Sequence, residues 1–292
     1  MLRDRCRTIV QTEWNGERAD ALIALHAQRS AESIARFHEA AGGRGMAVVL
    51  TGTDLYRDLA AGNREAARSL DLADRIVVLQ EHALSSLTPD WRRKAEVIFQ
   101  SAPPIARRKK PAQRLDAIMV GHLRAEKDPA TLFGAVRALP ATLPIRIRHV
   151  GTPLDAALGQ QARALERSEP RYRYSGALPH GLVRNAIARA HVLVHPSLVE
   201  GGANVVVEAV MAGTPVIASR IAGNVGMLGA DYPGYFEARD AAGLATLLVR
   251  ALEEPRFLAA LRRACDARRA LFRPPAETRA VRSLAAALLR RE

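Results

Sequence analysis

The stretch HPSLVEGGANVVVEAVMAGTPVIASR, residues 195–220, decides the fold. It continues the apolar run HVLVHPS (191–197), turns through a glycine pair, and becomes helical near Asn204. Gly213 closes the helix, and Pro215 opens a second apolar run, PVIAS (215–219). Strand, loop, helix and strand in so short a span make a parallel sheet, whose carboxyl edge is where open α/β folds bind ligands. Glu200 sits on the loop at that edge, with Gly201 and Gly202 expected to let backbone approach a ligand closely. The free N–H groups and positive dipole end of the helix suit a diphosphate. Glu208 lies one turn inside the helix on the same face as Asn204, where a carboxylate can accept hydrogen bonds from a ribose diol.

Outward from this segment, apolar runs alternate with helical patterns along most of the chain. LDAIMVG (115–121), IRIRHVG (145–151) and YRYSG (172–176) precede it. An earlier series holds TIVQT (8–12), ALIAL (21–25), MAVVLT (46–51), RIVVL (75–79) and EVIF (96–99). Apolar strands alternating with helices predict parallel sheets covered on both faces. The Pro- and charge-rich stretch SAPPIARRKKPAQR (101–114) separates the two series. The expected organisation is an N-terminal Rossmann-like domain over 1–102, a linker over 103–114 and a C-terminal Rossmann-like domain over 115–275. A terminal helix over 276–292 is expected to cross back to the first domain, with a ligand cleft between the domains. A doubly wound domain normally opens with a strand, a Gly-rich turn and a helix. Here TIVQT follows LRDR almost at once, so the first βα unit is expected to be missing and the N-terminal domain incomplete.

Composition narrows the class. The 292 residues carry a net charge of +13, almost wholly from arginine, since the lysines are only Lys94, Lys109, Lys110 and Lys127. That balance favours anionic partners. The arginines, however, are scattered through Ala/Leu-rich helical stretches, and no RNP-like strand or Cys/His finger accompanies them, which argues against nucleic acid. No apolar run approaches the roughly 20 residues that span a bilayer, so no integral membrane association is expected. Cys6 and Cys265 lie far apart without a motif, consistent with a reducing cytoplasm. Aromatics are only 4%, so the core must be aliphatic.

Two glutamates separated by seven residues, in this strand–loop–helix context, resemble the Glu-x7-Glu motif of retaining GT-B glycosyltransferases of the family 4 kind. The resemblance implies a GT-B fold, with Glu200 facing the donor sugar and Glu208 holding the nucleotide ribose. DAIMVGHLRAEKDPATLFGAV (116–136) resembles the block in which such enzymes neutralise the donor diphosphate. Lys127 and Glu126 match that block; His122 stands where arginine is usual, and Arg124 lies two residues on. A fixed cation there would stabilise the charge left on the departing nucleotide. The donor set expected is Gly121, Arg124, Lys127, Glu200, Gly201, Gly202, Asn204 and Glu208.

ALHAQRSAESIARF (24–37) and VVLTGTDLYRDL (48–59) each follow an apolar run, which puts His26, Arg29, Thr51, Gly52, Thr53, Asp54 and Arg57 at strand ends. These residue types make a plausible anion pocket, expected to hold the acceptor. Together with EGGAN and GNVGMLGADYPGYF (223–236), they are similar to the selenosugar synthase branch of these glycosyltransferases, from about Trp14 to the last helix. That resemblance implies a metal-independent hexosyltransferase of selenoneine biosynthesis. It would join a UDP-sugar, UDP-N-acetylglucosamine or UDP-glucose, to selenophosphate with no cofactor, using Glu200, Lys127 and His26 as catalytic residues. Selenophosphate is already anionic, so no obligatory general base is required. The alternatives are a GT-B enzyme acting on a hydroxyl acceptor and an inactive truncated relative.

Overall fold

The structure is a computed structural model and describes residues 1–290. The chain divides into two compact units. The first comprises Met1–Gln100, the tripeptide Glu200–Gly202 and the C-terminal stretch from Pro274; the second comprises Ser101–Val199 and Ala203–Arg273.

The first unit is built on four parallel strands, β1 (Leu22–Leu25), β2 (Met46–Val49), β3 (Arg75–Val78) and β4 (Ala95–Val97), in the order β1-β2-β3-β4. One face packs Ile34 and Phe37 of the helix Ala31–Ala40 and Ala66 and Leu70 of the helix Arg64–Leu72. On the other face Leu284 and Leu288 of the helix Pro274–Leu288 lie with Ala47, Val77 and Ile98. The terminal helix therefore clusters with the first unit; the last two residues of the expected span 276–292 lie outside the described residues.

TIVQT is not a strand. Ile9 and Val10 are 49% and 89% exposed, because the segment has neither a ladder partner nor a covering helix. What docks this region instead is Trp14, edge-to-face on Phe37 with centroids 5.4 Å apart.

The second unit has six parallel strands: β5 (Leu115–Val120), β6 (Ile145–Val150), β7 (Tyr172–Tyr174), β8 (Val192–His195), β9 (Val216–Ser219) and β10 (Tyr235–Phe236). Their order is β10-β9-β8-β5-β6-β7. Chain direction across the sheet reverses between β5 and β8, so the loops leaving these two strands meet at a topological switch point. Residues 103–114, expected as a linker, form no helix or strand and cluster with this unit; Arg107 Nη2 donates to both carboxylate oxygens of Asp266 at 2.9 and 3.0 Å.

The expectation that every strand is covered on both faces fails at the edge strand β1, where Ile23 and Leu25 are exposed, and at β6 and β7. In IRIRHV, Ile145, Ile147 and His149 are buried while Arg146 and Arg148 are exposed, and Arg173 of β7 is exposed beside them. Alternation of period two is the mark of a strand with one wet face. Among the described residues no helix is long and apolar enough to cross a membrane.

Candidate functional site

In the second unit, the end of β5 is held against the end of β6 by backbone contacts, of which the one at Gly151 demands glycine. Gly121 N–H donates to Val150 O at 2.9 Å, and a Cβ on Gly151 would sit 1.9 Å from Gly121 O. From below, buried His149 donates through Nε2 to Gly121 O at 3.3 Å while its Nδ1 takes the Tyr172 hydroxyl at 2.9 Å. Burial lowers the His149 pKa to about 4, against the opposing hydrogen bond to Gly121. The chain then makes the 3₁₀ turn Ala125–Lys127. Asp128, at φ 45°, caps the helix Pro129–Ala138 by accepting from Thr131 N–H at 3.3 Å and the Thr131 hydroxyl at 2.5 Å. This sets the Lys127 stem over Gly121, whose Cβ position would be 3.6 Å from Lys127 Cγ. Arg124 Nε lies 3.8 Å from Glu126 Oε2, and His122 accepts the Thr152 N–H at 3.1 Å.

The β8 loop is tied to that turn by Leu198 N–H donating to Glu126 O at 2.9 Å. From the other side Ser219 Oγ donates to Ser197 O at 2.5 Å, and buried Asn224 donates to Ser219 O at 2.9 Å. The helix runs Asn204–Ala212 and stops at Gly213, φ 70°. Its N-cap is Ala203, which offers no side-chain acceptor to the first-turn N–H groups. Exposed Asn204 and half-buried Glu208 lie along it, and Glu208 Oε1 is 2.5 Å from His180 Nε2. His180 opens the helix His180–Arg189 after β7 and was not foreseen. Its only sequence signal is a histidine just past a strand end, because the pairing spans 28 residues.

Glu200, Gly201 and Gly202, expected with the donor set, cluster with the first unit. Neither glycine has a positive φ. A Cβ on Gly201 would lie 2.5 Å from Gly52 N, and one on Gly52 would lie 2.6 Å from Gly201 N, so two backbones pack face to face. Beside Gly202 the space is filled by Leu79, at 2.7 Å from a would-be Cβ. Both glycines pack chain against chain on the side where a Cβ would project. Glu200 is buried.

The first unit gathers the expected acceptor residues at the ends of β1 and β2. Fully buried Asp54 accepts from Ala27 N–H (3.0 Å), Thr51 N–H (2.6 Å), the Thr51 hydroxyl (2.9 Å) and Leu55 N–H (3.1 Å). It thereby clamps the β1 loop to the β2 loop. Burial pushes its carboxyl up, while these hydrogen bonds pull the other way. Buried His26 takes a left-handed φ of 75°; its Nδ1 accepts from Arg29 N–H at 3.3 Å. Nε2 thus carries the proton and donates to Thr53 Oγ1 at 3.0 Å. Nε2 is also 3.9 Å from Asp58 Oδ2, whose partner oxygen accepts from Arg57 Nε at 2.9 Å. Arg29 and Arg57 are exposed at the rim.

Two Rossmann-like units, the second with cationic and carboxylate residues on adjacent loops of its switch point, define an α/β fold of the GT-B class. Residues 104–268 match the family described as glycosyl transferases group 1, and the chain belongs to that family. Solved structures of similar fold include HepE of Anabaena in complex with UDP-glucose, at 15% identity and a TM-score of 0.73, covering 91% of this chain and 79% of that one. TarM of S. aureus matches at 12% identity and a TM-score of 0.72; the chain spans 56% of its length, with 91% of this chain covered. Sucrose-phosphate synthase of Thermosynechococcus elongatus matches at 21% identity and 0.68, over 91% of this chain and 73% of that one. At these identities the likeness is one of fold. No match was found among curated protein sequences.

Proposed function

We propose that the chain transfers a hexosyl group from a UDP-sugar, UDP-N-acetylglucosamine or UDP-glucose, to selenophosphate. In this reading the C1–O bond to the diphosphate breaks, UDP leaves with the electron pair, and selenium forms the new bond to C1. The observation that carries the donor half is the switch point of the second unit. There an uncapped helix N-terminus, Lys127 over Gly121 and Glu208 one turn into the helix offer an anion cradle, a cation and a ribose acceptor. The UDP-glucose bound to HepE supports this choice of donor class.

The acceptor half rests on the first unit and on the sequence resemblance to selenosugar synthases. His26, Thr51, Gly52, Thr53 and Asp54 form a loop pair held by its own hydrogen bonds, with the Arg29 and Arg57 guanidiniums exposed beside it. Guanidinium forks match a tetrahedral oxyanion. Glu200 is assigned to the donor sugar, and Gly121, Arg124, Gly201, Gly202 and Asn204 to its neighbourhood. The test is a steady-state assay of UDP release with each UDP-sugar against selenophosphate, thiophosphate and a panel of hydroxyl acceptors. Turnover with selenophosphate and competition by thiophosphate support the reading. Turnover confined to a hydroxyl acceptor overturns the acceptor, and no UDP binding at all overturns the donor.

A further inference from the structure

The wet face of β5, β6 and β7 is an arginine-lined groove. In register, Asp116 pairs with Arg146, Ile118 with Arg148, and Arg148 with Arg173, so these side chains leave the same face of the sheet. Neighbouring strands stand only about 4.8 Å apart, which makes Arg148 and Arg173 like charges side by side, an arrangement that costs stability. The open groove holds about 520 Å³ between this face and the helix His180–Arg189, which contributes Arg189; Arg114 and Arg171 complete the wall. Ala117 and Ile118 lie at its base. An adjoining cavity of about 380 Å³ shares Arg148 and Arg189 and adds Arg108 and exposed Leu182.

The charge is compensated only in part. Arg114 is paired with Asp116 at 2.8 Å and Arg171 with Glu169 at 2.5 Å. Arg148 Nε donates to the neutral Ser175 hydroxyl at 2.9 Å. Among the described residues, no carboxylate lies within ion-pair distance of Arg146, Arg148, Arg173 or Arg189, although Asp116 stands across from Arg146 in register. Arg114 and Asp116 flank the amino end of β5, whereas the Lys127 turn leaves its carboxyl end, so the groove is separate from the donor site.

We infer that this groove binds a small molecule carrying two or more phosphate groups. Its volume falls within the roughly 300–1,000 Å³ of small-ligand sites, and a concave arginine wall over an apolar base suits a small polyanion. The like charges would be relieved by the oxyanions they fork onto.

The test is calorimetric titration of the full chain with linear tripolyphosphate, with UDP saturating, at about 0.15 M salt. Binding should persist under UDP and weaken about tenfold or more in Arg146→Ser/Arg173→Ser. That variant should fold, since it removes like charges; an unchanged or raised melting temperature and unchanged UDP affinity check this. The control Arg256→Ser/Arg263→Ser, exposed arginines on the helix Pro255–Arg268, should bind as the parent does. The inference fails if tripolyphosphate does not bind, if UDP displaces it, or if both double variants lose affinity equally. It also fails if only a single-stranded RNA or vesicles of anionic lipid bind and lose affinity in the sheet-face variant, which would make the groove a macromolecular surface.

Discussion

The strand ends of the first unit and those of the second are both rich in polar side chains, but the bonds run in different directions. At the ends of β1 and β2, Asp54, His26, Thr51 and Thr53 satisfy one another and the loops that carry them. At the ends of β5 and β8 the loops are held by backbone bonds, Gly121 to Val150 and Leu198 to Glu126, and by side chains outside the expected donor set, His149, Asp128, Ser219 and Asn224, leaving an uncapped helix N-terminus and an exposed Asn204. The first arrangement makes the fold depend on its polar residues. The second lets the site residues change without the fold changing, and that asymmetry can be measured.

The largest effect is expected at Asp54. Asp54→Ala removes an acceptor used by four donors in a fully buried place. It should destabilise the first unit by about 3–4 kcal/mol. Trp14 and Trp91 are the only tryptophans and both lie in that unit, so fluorescence-detected urea unfolding reports on it directly. A loss below about 1 kcal/mol would break the comparison, because the clamp would then be ornamental.

In the second unit the corresponding change should alter binding and leave folding alone. Glu208→Ala should weaken UDP binding by about 1.5–3 kcal/mol, as for lost hydrogen bonds to a charged group. Stability should stay within about 0.5 kcal/mol. Lys127→Ala should lower turnover more than UDP affinity, because charge on the leaving diphosphate grows in the transition state. Equal losses of affinity and turnover in both variants would show that the two roles are wrongly divided.

His149 sharpens the contrast from beneath the donor loop. Its folded pKa, about 4, lies below the ordinary value of 6.5. The unfolded chain therefore binds the proton more readily, and stability falls as pH drops from 6.5 toward 4. By pH 5 this single group should cost about 2 kcal/mol relative to pH 7.5. His149→Gln should flatten that slope in urea titrations at the two pH values. The same slope in parent and variant would assign the acid sensitivity to other groups.

How much of this was legible in the sequence follows from the range of the interactions. The stop of the helix Asn204–Ala212 at Gly213 is a local event, decided by a residue free to take φ 70°. The strands β1–β3, β5, β6, β8 and β9 lie within apolar runs read beforehand. TIVQT has the same composition but no partner strand, and composition cannot report a partner. β10 has two residues inside a turn-rich stretch, too few to show a period. The packing of Gly201 on Gly52 and the pairing of His180 with Glu208 join positions far apart in the chain, so neither leaves a local signal. The alternation in IRIRHV is a local signal of one uncovered face, against the covered sheet that most parallel strands form.

The smallest expected effect is at the rim of the first unit, and it separates the clamp from whatever the clamp presents. Arg29 and Arg57 are exposed, and Arg57 Nε donates to Asp58 Oδ1 at 2.9 Å. An exposed ion pair contributes about 0.2–1 kcal/mol, so Arg29→Ala and Arg57→Ala should hardly move the urea midpoint that Asp54→Ala displaces. If these guanidiniums hold the acceptor oxyanion, each substitution should raise the KM for selenophosphate about tenfold. UDP affinity, which belongs to the other unit in the proposed reading, should stay within about twofold. The order of effects is then opposite for folding and for the acceptor: the buried carboxylate governs the first, the exposed cations the second. Selenophosphate kinetics unchanged in both arginine variants would leave the clamp intact as a structural device and move the acceptor site away from it.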